Sequence, residues 1–413
     1  MVKIGLGWRW NVAGIMQGVR ILEVATWVAA PSAGAVMADW GAEVIKVENP
    51  EGGDAIRGFT SIEGFQGGDI WWQLLNRGKK SIALNLSTEE GQAVLHRLAA
   101  ASDVLLTNLQ IGLLDRFRLD YQTLHEVNPR LVYGLLTGYG YDGPDRHLPG
   151  YDYSAYWARS GIMEHVSEPG RPPRPARPGI GDNSTSMVIA AGLSAALFHR
   201  ERTGEGQEVH FSLYHSAVWA IGMDVQAALS FGAEIPHTNP DRARNPLWNA
   251  YKTSDDLWFQ MVMLQSDRFW PRFCEAIESP ALQDDPRFDS HANREQHSEA
   301  LVAIIKEVVA TRPREEWEQR FKDFNLVGGR VQRVIETVSD PQALANGFFT
   351  ETDRGDGSAL PLVSSPVKFK QNPTSVQGPA PELGQNTEEV LMDVGAYEWE
   401  ELERLKEQGV IPW

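Results

Sequence analysis

The chain has one cysteine, Cys274, among 413 residues, which excludes an internal disulfide and any cysteine-rich metal site and suits a reducing compartment. Its ten histidines show no HExxH or similar ligand spacing, so no dedicated metal site is expected. No stretch approaches the roughly 18 consecutive apolar residues of a membrane span. The opening, MVKIGLGWRWNVAG, lacks the charged-then-apolar order of a signal peptide, and a cytoplasmic protein without a membrane partner is expected. Basic runs are missing as well. With 55 acidic against 38 basic side chains the formal net charge is −17, which argues against nucleic acid as a partner, because phosphate contacts need a basic surface. An anionic small ligand would need a local group of basic residues inside this acidic protein. Internal repeats and low-complexity tracts are absent too.

What is present is ordinary globular chain, long enough for two domains with real cores. The first 140 residues alternate short β-branched runs with helical patterns, the signature of a parallel α/β sheet. VRILEVA reads as a strand, PSAGAVMADWG as a helix with Pro31 near its start and Gly41 at its end, and AEVIKVE as the next strand. SIALNL follows, then a capping box from Ser87 to Glu90 before GQAVLHRLAAA. DVLLTNL and RLVYGLLTG bring the run to about five strands in a Rossmann-like, doubly wound sheet. From Met187 to about Leu197 the pattern is apolar nearly all round, so a buried helix is expected there.

The composition then shifts. GAEIPHTNPDRARNP has the proline and polar content of a linker, and a smaller α+β domain with its own strand, LWFQMVM, and helices follows to about residue 335. The expected division is therefore a large domain from 1–225, a small domain with its linker at 226–335, and a return through 336–413, where the tail is helical and acidic.

An open parallel sheet binds ligands beyond the carboxyl ends of its strands. After the first strand the chain reads TWVAAP without G-x-G-x-x-G, which weighs against a nicotinamide or flavin enzyme. Glu48 ends the second strand, where a ribose-binding acid or a plain solvated residue would stand. Lys46, Arg57, Arg77, Lys79, Lys80 and Arg116 recur near this edge and suggest phosphate recognition, for coenzyme A as much as for a nucleotide. Further on, PGIGDNSTSM places Asp182 after a glycine at the mouth of the apolar helix. From the residues alone Asp182 is either a helix cap or a covalent nucleophile; Asn183 and Ser184 are good caps themselves.

Several stretches in one order resemble the class III coenzyme A-transferases, the formyl-CoA transferase or CaiB/BaiF family: GVRILEVATWVAAPSAGAVMADWGAEVIKVENPEGGDAIRG, NRGKKSIALNLSTEEGQAVLHRLAAASDVLLTN, NPRLVYGLLTGYGYDGPDRHLPGYD, ERTGEGQEVHFSL and LGQNTEEVLMDVG. The resemblance implies a Rossmann-like large domain built from both chain ends, a small central domain, and two subunits interlocked as a homodimer. It implies no permanently bound cofactor, with coenzyme A and acyl-CoA as substrates. It also carries the nucleophilic aspartate to Asp182 and coenzyme A contacts to Trp27, Ala29, Lys46, Leu84, Asn108, Arg116 and Phe117. The helix dipole would then help to keep Asp182 ionised.

The same fold family includes 2-methylacyl-CoA racemases, whose acid/base histidine stands in a Gly-His-Asp motif. Here that motif is Gly150, Tyr151 and Asp152, and tyrosine, with a pKa near about 10, is a poor base at neutral pH. The racemase glutamate is also missing from MVMLQSDRF. These residues favour a transferase in which Tyr151 orients acyl groups; a racemase or intramolecular CoA isomerase, and an inactive CoA-binding protein, are the alternatives. The glycine run of formyl-CoA transferases is replaced by RNPLWNAYKTSDDLW, and the aromatic beside Asn108 by Leu109. Tyr153, Tyr156, Trp157, Trp71 and Trp72, where they line a pocket, suit an aromatic or branched acid, and the YWARSG segment resembles family subgroups acting on aryl or 2-hydroxy acids.

Overall fold

Apolar, β-branched runs become strands wherever two layers can bury both faces, and five of them do so in the computed structural model, which describes residues 14–59, 61–62, 65–66 and 68–413. Residues 1–13, which hold most of the opening read for a signal peptide, lie outside them. The strands are β1 (Arg20–Val24) and β2 (Glu43–Glu48), then, after a short antiparallel hairpin of β3 (Ser61–Ile62) and β4 (Phe65–Gln66), β5 (Lys80–Ala83), β6 (Val104–Thr107) and β7 (Val132–Thr137). A sixth, β8 (Gln207–Ser212), pairs in parallel with β7 and forms an edge. The order is β5-β2-β1-β6-β7-β8, parallel throughout. Leaving the hairpin aside, this is the doubly wound order, with its topological switch point between β1 and β6.

One face of the sheet is covered by helix Ala29–Asp39, buried at every residue, and by the long helix Ile180–Thr203. Ala33, Met37, Ile189 and Leu193 join Ile21 and Val132 in that core. The other face gathers Leu22, Leu95 and Leu124 with Leu391, Leu402 and Leu405 from the acidic C-terminal helices, which explains why both chain ends build one unit. Truncating the fully buried Leu391 to alanine would cost about 2–5 kcal/mol.

The chain up to Gly232 together with Asn346–Trp413 forms the large unit, and Ala233–Ala345 the small one. The small unit thus starts at Ala233 rather than at residue 226 and ends at Ala345 rather than at 335. It holds an antiparallel sheet of β9 (Ala250–Lys252), β10 (Trp258–Met261) and β11 (Gly328–Arg330), with its own core around Phe259, Phe273, Trp317 and Phe321. A last hairpin, β12 (Phe349–Asp353) with β13 (Ala359–Val363), belongs to the large unit. No helix among the described residues is long and apolar enough to cross a membrane.

Two local expectations change. The cap of helix Glu89–Ala100 is Thr88, whose Oγ1 accepts the Gly91 N–H at 3.0 Å, while the Ser87 N–H is taken by Asn85 Oδ1. The long helix is not buried all round: Val188 and Phe198 are 42% and 63% exposed, because the sheet and the first helix cover one side only.

Candidate active site at the sheet switch point

The loop leaving β1 crosses the switch point and is tied down residue by residue. Lys46 Nζ donates to the Ala25 carbonyl at 2.7 Å. Thr26 exchanges two hydrogen bonds with Asn108, which follows β6: its N–H donates to Asn108 Oδ1 at 3.0 Å and its carbonyl accepts from Nδ2 at 2.7 Å. Trp27 has φ 70°, in the left-handed region, and its N–H donates to Asp54 Oδ1 at 3.0 Å. The indole stands edge-on to Phe59 and to Tyr151, with centroids 6.1 and 6.0 Å apart.

Beneath this loop lies a buried ionic network that takes up Lys46, Arg77 and Lys79, three of the basic residues read as a phosphate patch. Lys46 and Lys79 are enclosed and share Glu23: Lys46 Nζ lies 3.0 Å from its Oε1 and Lys79 Nζ 2.8 Å from its Oε2. Lys46 also meets Asp54 at 2.9 Å. Burial is the largest single effect on Lys46 and lowers its pKa, but Glu23, Asp54 and Glu48 together outweigh it and raise the pKa above the ordinary lysine value. Burial, with the Lys46 charge nearby, pushes Lys79 down to about 8. Arg77 pairs with buried Asp39 at 2.7 Å, and Lys80 bridges Glu43 and Glu389. Glu48 is neither solvated nor free for a ribose. It accepts Arg57 through both oxygens, at 2.7 and 2.8 Å, the Ser81 hydroxyl at 2.6 Å and the Asp54 N–H at 3.0 Å. Burying charge is tolerated only when it is paired this fully, and so the enclosed Lys46, Lys79 and Arg77 are committed to carboxylates, while Lys80 and Arg116 stay at the surface.

On the other side of the loop stands the aspartate pair. Tyr151, 57% exposed, precedes a single π-helical stretch, Asp152–Ala158, that carries buried Asp152. The Gly179 N–H donates to Asp152 Oδ2 at 2.9 Å, tying this stretch to the start of the long helix. Gly179, with φ 95°, is the helix N-cap, so Asp182 stands in the first turn and neither it nor Asn183 or Ser184 caps the helix. Asn183 instead accepts from the Ser32 hydroxyl at 3.0 Å, which links this turn to the first helix. Burial, and then the charge of Asp152, push the Asp182 carboxyl up to about 7. The expected hold of the helix dipole on its ionised form is thus outweighed by desolvation. Asp152 is raised by burial too, partly offset by the N–H groups of Gly179, Gly181 and Asp182.

Trp27 is therefore in direct contact with Tyr151, Asn108 joins them through Thr26, and Asp182 through Asp152. Ala29 opens the first helix and is buried. Leu84 is buried in the second core, and Phe117 packs against it with the exposed Arg116 guanidinium 5.7 Å from its ring. Tyr156, Trp157 and Trp72 are core; the Trp72 indole N–H donates to the Pro381 carbonyl and its ring lies under Arg57. The half-buried Trp71 packs beside it, and the partly exposed Tyr153 donates its hydroxyl to the Ala176 carbonyl. Sequence reasoning missed Glu23, Asp54 and the close approach of Asp152 to Gly181. Asp54 had one signal, two glycines before it at a strand-to-loop transition. Among the described residues no group of three or more His, Cys, Asp or Glu could hold a metal ion.

The family model described as CoA-transferase family III matches residues 16–387. Cinnamoyl-CoA:phenyllactate CoA-transferase of Clostridium sporogenes is 37% identical over 402 residues, which cover 96% of this chain and 97% of that one. (R)-2-hydroxy-4-methylpentanoate CoA-transferase of Clostridioides difficile is 32% identical over 400 residues, covering 96% and 99%. A crystal structure of a CAIB/BAIF family protein from Brucella suis has 27% identity and a TM-score of 0.81, with 92% of this chain and 99% of that one covered.

Proposed function

The chain belongs to CoA-transferase family III, and we propose that it moves coenzyme A between carboxylic acids with Asp182 as covalent nucleophile. An ionised Asp182 oxygen attacks the thioester carbonyl, the C–S bond breaks, and CoA thiolate leaves a mixed anhydride. The thiolate then attacks the Asp182 carbonyl carbon and releases the donor acid, forming an aspartyl-CoA thioester. The acceptor carboxylate repeats the attack, and the returning thiolate takes the acceptor acyl group and frees Asp182. The observation that carries this reading is the Asp182 carboxyl in the first turn of the long helix, desolvated and next to Asp152. Desolvation strengthens it as a nucleophile once ionised. Tyr151, at the edge of Trp27, is placed to orient the acyl group.

For the acids, two similar chains carry the names of a phenyllactate and a 2-hydroxy-4-methylpentanoate transferase. Aromatic or branched 2-hydroxy acids and their enoyl counterparts are the proposed substrates. Helix Gly222–Phe231 has no buried residue, and with Trp219, Met223, Leu229 and Phe231 each at least 77% exposed it is proposed to be covered by a second copy of the chain. Sedimentation of the wild type as a dimer, and of Met223→Glu as a monomer, would support that; a monomeric wild type would refute it.

The function is tested by exchange of a labelled acid into its CoA ester. Asp182→Ala should lose exchange by about 10⁴-fold or more while still binding free coenzyme A. Activity within a few-fold of wild type would remove Asp182 from the mechanism.

A further inference from the structure

Three consecutive residues after β1 are each held by a polar side chain from a different element: Ala25 by Lys46, Thr26 by Asn108 and Trp27 by Asp54. Trp27 needs the most holding. Its φ of 70° is one that a bulky aromatic side chain rarely adopts, and such a conformation persists only where the surroundings over-determine it. Asp54 is itself fixed. It is 1% exposed, its Oδ1 also accepts the Ile56 N–H at 3.1 Å, its Oδ2 lies 2.9 Å from Lys46 Nζ, and its own N–H donates to Glu48 at 3.0 Å. With both oxygens engaged and water excluded, the carboxylate has one arrangement available. Through it the buried Lys46 ammonium is connected to a strained peptide at the switch point.

We propose that Lys46 and Asp54 are positioning residues for the transfer reaction: the buried pair locks Trp27 in its left-handed conformation and so sets where the thioester end of acyl-CoA lies relative to Asp182. The inference rests on the transferase reading above. A path for the effect exists. The Trp27 ring abuts Tyr151, the next residue Asp152 accepts the Gly179 N–H, and Gly179 caps the helix carrying Asp182. A sub-ångström error at a reacting group lowers rate steeply, so a pair that touches no substrate can still be felt in kcat.

The test is a set of variants assayed per folded molecule. Asp54→Ala should lower kcat/KM by about 10–100-fold and slow adduct formation on Asp182, while Asp54→Asn, which keeps an oxygen for the Trp27 N–H but gives up the ion pair with Lys46, should recover only part of that loss. Trp27→Gly, which adopts φ 70° without strain, should make Asp54→Ala nearly silent in the double variant. Unchanged kinetics in folded Asp54→Ala, or losses that multiply in the double variant, would overturn the proposal. If Asp54→Ala alone does not fold, the Trp27→Gly background should restore folding, and failure to do so overturns it as well. A wild type that forms no adduct on Asp182 would instead strike the transferase reading.

Discussion

Asp152 and Gly181 approach so closely that a Cβ on Gly181 would lie 2.1 Å from Asp152 Oδ1, and 2.4 Å from Cγ of Tyr156. The glycine preceding Asp182 is thus a requirement of space. Its φ is not in the left-handed region, so the constraint is contact alone. Gly181→Ala should cost roughly 1–3 kcal/mol of stability through overpacking. It should cost activity further, by about 100-fold or more, because the turn holding Asp182 must shift. Melting curves and exchange rates on the same samples separate the two effects; an active, stable alanine variant would refute the contact.

The carboxylate pair predicts a pH profile. With Asp182 pushed up to about 7, kcat/KM should rise as pH increases through neutrality and level off above it. Asp152→Asn removes the smaller of the two causes, so the rising limb should move to lower pH by less than about one unit and remain above the usual carboxylate range. A limb that stays put, or moves up, would show that Asp152 does not act on Asp182 electrostatically.

Stability should carry the same signature with a definite sign. The folded state holds the Asp182 proton up to about 7 against a reference of 3.8, so its contribution is fully present below 3.8 and is lost as pH rises through the folded value. Asp182→Asn, which cannot ionise, should therefore be more stable than wild type at pH 8 by roughly 1–3 kcal/mol. The difference should vanish towards pH 4. Urea titrations at both pH values check it, and a variant less stable at pH 8 would contradict it.

A second glycine tests the buried ions. A Cβ on Gly34 would lie 2.0 Å from Glu23 Oε2 and 3.2 Å from Lys79 Nζ. Glu23 cannot step aside without leaving two enclosed ammonium groups short of a carboxylate. Gly34→Ala should thus destabilise by roughly 3–5 kcal/mol, although alanine is the better helix former at an exposed site. A neutral or stabilised variant would mean that Glu23 can leave the two ammonium groups at little cost.

Much of this architecture is legible in the residues. RILEV, EVIKVE and VYGLLT read as strands because both faces of a parallel sheet are buried, which leaves long apolar runs. β8 is less so: QEVHFS is an edge strand, buried only at its last two residues, and its pattern is correspondingly weak. The basic residues mislead for a physical reason. Lys46 in VIKVE looks like a strand-end charge, and nothing local shows that Glu23 and Asp54 enclose it from two other segments. Asp182 stands out beside an apolar run, but its raised pKa comes from burial and then from Asp152, and Asp152 comes near only when the Asp152–Ala158 stretch is hydrogen-bonded to Gly179.

In the proposed reaction Asp182 carries the acyl group and then coenzyme A. Incubation with aryl-enoyl and 2-hydroxyacyl CoA esters, followed by hydroxylamine and peptide mass spectrometry, tests it directly. A hydroxamate on the peptide holding Asp182, absent from Asp182→Asn, is the predicted result. Turnover of the same esters with that peptide unmodified at every time point would contradict covalent transfer through Asp182.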